Sequence, residues 1–423
     1  MQRTVLLSLS LASLAACASA FAPAFAQSAA GQPDPFKPVY VVTSRQTHDA
    51  GLSTLARDAT ARIGVTGAPL MVSELKAHEL TDLSRHVHEK ERRCGGYFAF
   101  DTRAEAEAFV RNDRSVQAMN IAFADYAIDN QATVAPWLSQ VKEANILASI
   151  KAMSTNWPNR YAGSSYGRKA ALWVRDRWAE LGAGRSDVST ELFTACSNCG
   201  QQPSVILTIR GNERPDEVVV LGAHLDSISN SGSGEFMRAP GADDDASGIA
   251  TLTEVLRIAL SSGYKPQRTI KVMGYAAEEV GLRGSNAIAN DFKSRGVNVV
   301  GVLQLDMTNY RTATAPDVRV ISDYSNANLQ QLLRDLFSTY LGGSMRLGDY
   351  TCSYGCSDHA SWTSAGYPAA MYFEGGNASG QYLQQVHTAN DTLATVGQSA
   401  TASVPFAKLG LAFLGEVGKT SAN

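Results

Sequence analysis

Single acidic and histidine residues stand where the strand-like apolar runs of this chain end. His224 and Asp226 close the run VVVLGAHLD, Asp244 lies in GADDDASG, Glu278 and Glu279 close IKVMGYAAEE, Asp306 closes VVGVLQLD, and His387 lies in QQVHTANDT. In an open α/β sheet, ligands bind in the crevice outside the strand C-termini. Carboxylates and imidazoles gathered there can surround a pair of divalent metals and leave one carboxylate free as a base, which is the composition of a two-metal hydrolase site.

Zinc takes histidine nitrogen and carboxylate oxygen, and a catalytic zinc keeps an open or water-filled position. The inventory pairs His224 with Asp306 and His387 with Glu279, with Asp244 bridging between them. Asp226 lies two residues beyond His224 on the same strand face. It is placed to accept the other ring N–H of that histidine, as partners of metal-bound histidines do. Adjacent residues at a strand end point different ways, so Glu279 can bind metal while Glu278 stays free as general base. Each feature alone has a bland explanation: HxD pairs are common, Glu-Glu is usually a solvated surface, and Asp-Gly runs are often loops. The reading rests on their conjunction. His359, in CSDHASW, reads as a structural histidine, because the five ligands already suffice.

Elements must hold these residues in place. Apolar runs predict strands at Val205–Arg210, Glu217–Leu225, Thr269–Ala276, Val299–Asp306, Val318–Ser322 and Ala369–Phe373, alternating with helices at Gly248–Ser261, Gly284–Arg295, Ala327–Leu341 and Val404–Val417. That alternation predicts an α/β fold, a three-layer α/β/α sandwich around a mixed, largely parallel sheet. Ahead of it, strand-like runs at Pro38–Thr43 and Tyr97–Phe100 flank a helical face of Leu80, Leu83 and Val87. A second helix over Ala104–Val110 carries a Thr102–Glu105 capping box. These predict a small α+β domain, with His78, His86 and His88 on a solvated helix face.

At 423 residues the chain exceeds one ordinary core. Its 44% hydrophobic and 18% charged residues fit a soluble globular protein, and a net charge of -3 argues for neither nucleic acid nor an anionic membrane as partner. The first 26 residues have the form of a signal peptide, with Arg3, an apolar stretch from Val5 to Ala16 and Ala24-Phe25-Ala26 as cleavage site. Leu14-Ala15-Ala16-Cys17 offers lipidation at Cys17 as the alternative. Export implies an oxidising compartment, so the close pairs Cys196/Cys199 and Cys352/Cys356 are read as two short-loop disulfides. Cys94 has no near partner.

The strings GAHLDS, APGADDDASGIATLTEVLR, YAAEEVGLRGS, LQLDMTNY, DYTCSYGCSDHASW, AGYPAAM and VHTANDTL resemble those of the secreted di-zinc leucyl aminopeptidases of the Vibrio/Aeromonas type. They cover nearly all of the chain from about residue 130, in the family's order. The resemblance implies two zinc ions: one on His224, Asp306 and bridging Asp244, the other on Glu279, His387 and Asp244. It implies Glu278 as base and proton shuttle for a zinc-bridged water, Asp226 as the partner that orients His224, and a cis Asp244–Asp245 peptide. Tyr354 would donate to the oxyanion, and Met307, Phe373 and Val386 would help line an apolar pocket for the first side chain.

The resemblance further implies that residues 27–125 are a propeptide, a folding aid and inhibitor that is later removed, and that residues 126–423 are the catalytic domain. The implied activity is release of an N-terminal leucine or other apolar residue from peptides with a free N-terminus, by a secreted monomer. Rival readings are another di-zinc exopeptidase, a carboxypeptidase, an aminoacylase or a glutaminyl cyclase, and, outside enzymes, a non-catalytic homologue.

Overall fold

The computed structural model describes residues 34–65, 67–91, 95–121 and 126–421. The signal-peptide reading, Cys17 and Cys94 lie outside the described residues.

Two sheets organise the chain. The smaller is antiparallel, order β2-β3-β1-β4, built from β1 (Pro38–Ser44), β2 (Arg57–Ile63), β3 (Pro69–Lys76) and β4 (Tyr97–Phe100). Of these, β2 and β3 had no strand reading in the sequence. The helix Arg103–Asn112 packs beside this sheet. Its capping box is formed, with Glu105 N–H donating to Thr102 Oγ1 at 3.2 Å and Thr102 N–H to Glu105 Oε2 at 2.9 Å.

The larger sheet has eight strands in the order β11-β10-β12-β9-β7-β8-β6-β5. They are β5 (Val188–Phe193), β6 (Ser204–Ile209), β7 (Arg214–His224), β8 (Arg268–Tyr275), β9 (Asn298–Asp306), β10 (Val318–Ile321), β11 (Leu347–Tyr350) and β12 (Ala369–Glu374). The central four, β12, β9, β7 and β8, are parallel to one another, whereas β6 joins β8 and β10 joins β12 antiparallel. This is the mixed, mostly parallel sheet the sequence predicts.

Strand side chains alternate between faces, and β7 illustrates both destinations. Val219, Leu221 and Ala223 enter the main core, against Glu143–Thr155, Ser165–Leu181, Ala246–Ser261, Ala327–Tyr340 and Val404–Gly418. Val218 and Val220 face the helices Arg283–Ser294 and His359–Ala365. The helix Ala246–Ser261 is buried on nearly every side, as an all-round apolar helix must be. Among the described residues, the buried members of both cores run from Val134 onward, with Tyr126 and Ile128 half-buried against the first, so the large sheet has a core of its own. The small sheet shares two other clusters with it.

The chain leaves β7 to one side to form β8 and returns on β7's other side as β9. Such a reversal opens a crevice at the strand C-termini. His224 ends β7, Asp306 ends β9, and Glu278 and Glu279 follow β8.

Candidate metal centre

Two clusters of buried donors meet at this crevice: His224, Asp244 and Asp306, and Asp244, Glu279 and His387, with the donor atoms of each within 4.8 Å of one another. His224 Nε2 lies 2.9 Å from Asp244 Oδ1 and 3.6 Å from Asp306 Oδ1. His387 Nε2 lies 3.2 Å from Asp244 Oδ2 and 2.7 Å from Glu279 Oε2. Asp244 thus turns one carboxylate oxygen toward each cluster. Asp306 Oδ1, Asp244 Oδ2 and His387 Nε2 are buried and make no well-formed hydrogen bond, although buried polar atoms are nearly always satisfied. These atoms converge on common points rather than pairing with each other. Two nitrogens and three carboxylates sharing one bridge suit a pair of zinc ions.

The supporting groups fix loops as well as single side chains. Asp226 lies 3.4 Å from His224 Nδ1 and accepts the backbone N–H groups of Glu278 and Glu279 at 3.0 and 3.2 Å. Asp245 accepts from His224 N–H at 3.0 Å, Met307 N–H at 3.2 Å and Gly248 N–H at 2.8 Å, which ties β7, β9 and the following helix together. Asp391 accepts from the N–H groups of Asp243 and Asp244 at 2.9 and 3.0 Å. Ser357 donates to Asp306 Oδ2 at 2.6 Å. The Asp244–Asp245 peptide is cis. Ala277, Met307, Ser353 and His387 hold positive φ of 55, 56, 71 and 54°. Left-handed conformations cost non-glycine residues about 1–3 kcal/mol each and gather at functional sites.

Electrostatics follow from burial without metals. Glu278 lies in neither cluster, and its carboxyl is pushed well above the ordinary range, first by burial and then by the charges of Asp358, Glu279 and Asp306. Glu279 is raised to about 7, by burial and by Asp244. Burial opposes protonation of His224 and His387, yet neighbouring carboxylates overcome it and raise both. His359 belongs to neither cluster and is held neutral by burial, its pKa pushed down to about 3.

Arg160 had no reading in the sequence, because an arginine in a loop carries no periodic signal. It is fully buried and is the counter-charge to this acidic centre. Its guanidinium donates to the carbonyls of Leu225 at 2.9 Å, Pro240 at 2.5 Å and Gly241 at 2.9 Å, with Asp244 O at 3.4 Å. It therefore joins the end of β7 to the loop that carries Asp244. Arg160→Met should cost about 3 kcal/mol or more, since buried carbonyls are left unpaired at roughly 1–3 kcal/mol each. Lysine should not rescue it, because a point charge cannot fork to several carbonyls. A denaturant midpoint unchanged in Arg160→Met would refute this role.

Tyr354 lies between the bonded pair Cys352–Cys356, its ring edge-on to Phe98 and Tyr324. Cys196 and Cys199 are also bonded. Met307 and Phe373 line a small enclosed cavity with Tyr350, Met371, Tyr382 and the Cys352–Cys356 pair. Val386 packs in the same apolar cluster without lining that cavity. The three N-terminal histidines do not share a solvated face. His78 is exposed and His86 half-buried, but His88 is buried. His88 Nδ1 bonds the Tyr382 hydroxyl at 2.9 Å, and its ring centroid is 5.4 Å from that of His387. A polar helix end looks solvated in the sequence because its partner surface lies some 300 residues away.

Residues 204–410 match the model of peptidase family M28. The chain is 34% identical to leucine aminopeptidase 1 of Pyrenophora teres f. teres over 66% of its own length and 72% of that protein's. It is 34% identical to a probable leucine aminopeptidase 1 of Trichophyton verrucosum over 81% and 93% of the two chains. Among solved structures, LapB from Legionella pneumophila superposes with a TM-score of 0.75 at 27% identity, covering 90% of this chain and all of that one. The LapA aminopeptidase of the same organism gives 0.73 at 24% identity, covering 91% and 99%. A site of metal-donor pairs at the strand ends of such a sheet, in a chain this similar to leucine aminopeptidases over most of their length, belongs to peptidase family M28 and to its metallo-aminopeptidases.

Proposed function

We propose that this chain is a secreted di-zinc aminopeptidase that removes an N-terminal leucine or other apolar residue from peptides, and that it is made as a latent precursor. The carrying observation is Asp244, whose two carboxylate oxygens face opposite histidine–carboxylate pairs while Glu278 stays outside both. One zinc would be held by His224, Asp306 and Asp244, the other by His387, Glu279 and Asp244. When bound, such ions lower the pKa of water and polarise the scissile carbonyl. Glu278 takes the proton of the attacking water and returns it to the departing amine. Tyr354 donates to the developing oxyanion, and Asp226 holds His224 and the Glu278–Glu279 loop in register. Met307 and Phe373 line the apolar seat of the first side chain, and Val386 packs in the apolar cluster around it.

A panel of aminoacyl chromogenic substrates beside their N-blocked versions tests this reading. Leucyl substrates should be cleaved and their N-acetyl forms left intact. Equal hydrolysis of blocked substrates would exclude an aminopeptidase and favour an endopeptidase or aminoacylase.

The N-terminal domain supports the latent-precursor reading. Ser84 Oγ and Tyr97 OH donate to the Glu279 carbonyl at 3.0 and 3.1 Å, and His88 lies on His387. Limited proteolysis that removes residues 38–110 should raise kcat/KM about tenfold or more. Full activity in the intact chain, or a mature mass that retains this segment, would defeat the propeptide assignment.

A further inference from the structure

The cavity lined by Met307 and Phe373 stands beside the metal centre, because Asp306, a donor of one cluster, lines it too. Other walls come from the edge of the large sheet. Val318, Val320 and Tyr372 enter the main core, so the residues alternating with them on β10 and β12 face the other way. Those are Arg319 and Ile321 on β10 and Met371 and Phe373 on β12, with Arg319 directly opposite Phe373. Tyr350, at the end of β11, is opposite Ile321. Ile321, Tyr350, Met371 and Phe373 line the cavity; Arg319 does not line it but touches two of its walls.

Arg319 is buried. Its guanidinium carbon lies 4.6 Å from the ring centroid of Tyr350 and 5.3 Å from that of Phe373, and the two rings are 5.2 Å apart. A cation over aromatic faces at that range is attracted to them, more so when desolvated. Nε donates to Glu374 O and Nη1 to Gly380 O, each at 2.6 Å, while Nη2 finds no acceptor among the described residues. One side chain thus holds the end of β12, the loop that leads to Tyr382, and two aromatic walls. The loop makes room for it. Gly376 has φ +72°, and a Cβ built there would lie 2.5 Å from Arg319 Nη2. Glycine meets both demands.

The cavity has a volume of about 10 Å³, room for about one water. A first side chain therefore enters only where the walls yield. Met307 and Met371 yield, since unbranched thioethers change shape easily. Tyr382 is held through its hydroxyl by His88, a contact that leaves with the N-terminal domain. Tyr350 and Phe373 stay pinned to the guanidinium.

We infer that Arg319 is a specificity-determining residue: by pinning Tyr350 and Phe373 it fixes the aromatic side of the pocket, so the enzyme takes peptides that begin with leucine or methionine and rejects those that begin with phenylalanine, tyrosine or tryptophan. The inference rests on the aminopeptidase reading, with this cavity as seat of the first side chain, and adds its substrate class. Compact, flexible side chains need only the methionine walls to repack. A planar ring needs Tyr350 or Phe373 to move, which breaks the contacts of a buried cation. Arg319 touches no substrate; it is a positioning residue that acts through two rings.

The test uses zinc-loaded enzyme produced from the full chain, with leucyl, methionyl and phenylalanyl amides. In the unaltered enzyme kcat/KM for leucine and for methionine should each exceed that for phenylalanine about tenfold or more, the scale on which pockets discriminate by size. Arg319→Met should lower the leucine-to-phenylalanine ratio about tenfold, mainly through a smaller KM for phenylalanine. Arg319→Lys should do the same, because a point charge cannot fork to two carbonyls while lying on two rings. A merely structural role would lower kcat/KM for both amides together and leave the ratio where it was. Should Arg319→Met not fold, Tyr350→Ala removes one pinned ring, leaves Arg319 in place, and should lower the ratio as far. An active enzyme that cleaves phenylalanyl amide as well as leucyl amide, or whose ratio is indifferent to these substitutions, overturns the inference alone. Failure to cleave any of the three amides overturns the aminopeptidase reading beneath it.

Discussion

Glu278→Ala or Glu278→Gln should retain both metal ions and lose about a thousandfold or more in kcat, the scale of a general acid–base catalyst removed. Both halves follow from position. The Glu278 carboxyl belongs to neither donor cluster, so its loss takes no ligand away. Its backbone N–H is held by Asp226 at 3.0 Å, a bond that any side chain at 278 preserves. Burial keeps its carboxyl well above the ordinary range in the metal-free protein, so it holds a proton readily, as a shuttle must. Glutamine fills the same space and cannot take the proton from water. Metal content by atomic emission, KM and kcat separate the possibilities. Loss of metal together with activity would make Glu278 a ligand, and near-normal turnover would remove it from catalysis.

Much of this site is legible in the sequence, because its ligands interrupt apolar runs. A buried parallel strand reads as a continuous apolar stretch, so β7, β8, β9 and β12 stand out, and an acid or histidine at their ends is conspicuous. Edge elements are less visible. β5, Val-Ser-Thr-Glu-Leu-Phe, is only half-buried, and β11 has four residues. The helix Ser165–Leu181 mixes arginines with its apolar face and had no reading. The supporting carboxylates are harder still. Asp245 and Asp391 act on backbone N–H groups from other loops, and which loop comes near is decided by topology, not by neighbouring residues. Arg160 and His88 share that difficulty. Their partners are carbonyls and rings brought close only by the crossover connections and by docking of the small sheet.

Stripping the metals should abolish turnover and also invert the pH dependence of stability around this centre. In the metal-free protein, burial raises Glu279 to about 7, Asp358 to about 7 and Asp243 to about 6. A carboxyl raised in the folded state binds its proton more tightly there than when unfolded. Its contribution is therefore full below the unfolded value near 4 and is lost as pH rises through the folded value. His224 and His387, raised by surrounding carboxylates despite burial, lose stability in the same direction as they deprotonate. Asp244 is shifted the opposite way: burial raises it, but His224 and His387 together lower it further, so its contribution fades only in stronger acid. The chelated chain should thus have its highest Tm near pH 4–5 and lose stability steadily toward pH 7. Zinc needs deprotonated ligands and binds better as pH rises, so the loaded chain should gain Tm over that same interval. Scanning calorimetry on chelated and zinc-restored full chain, from pH 4.5 to 7.5, reads both slopes. Parallel curves would mean that these carboxylates and histidines never face a shared metal pair, and turnover that survives a strong chelator would mean the same.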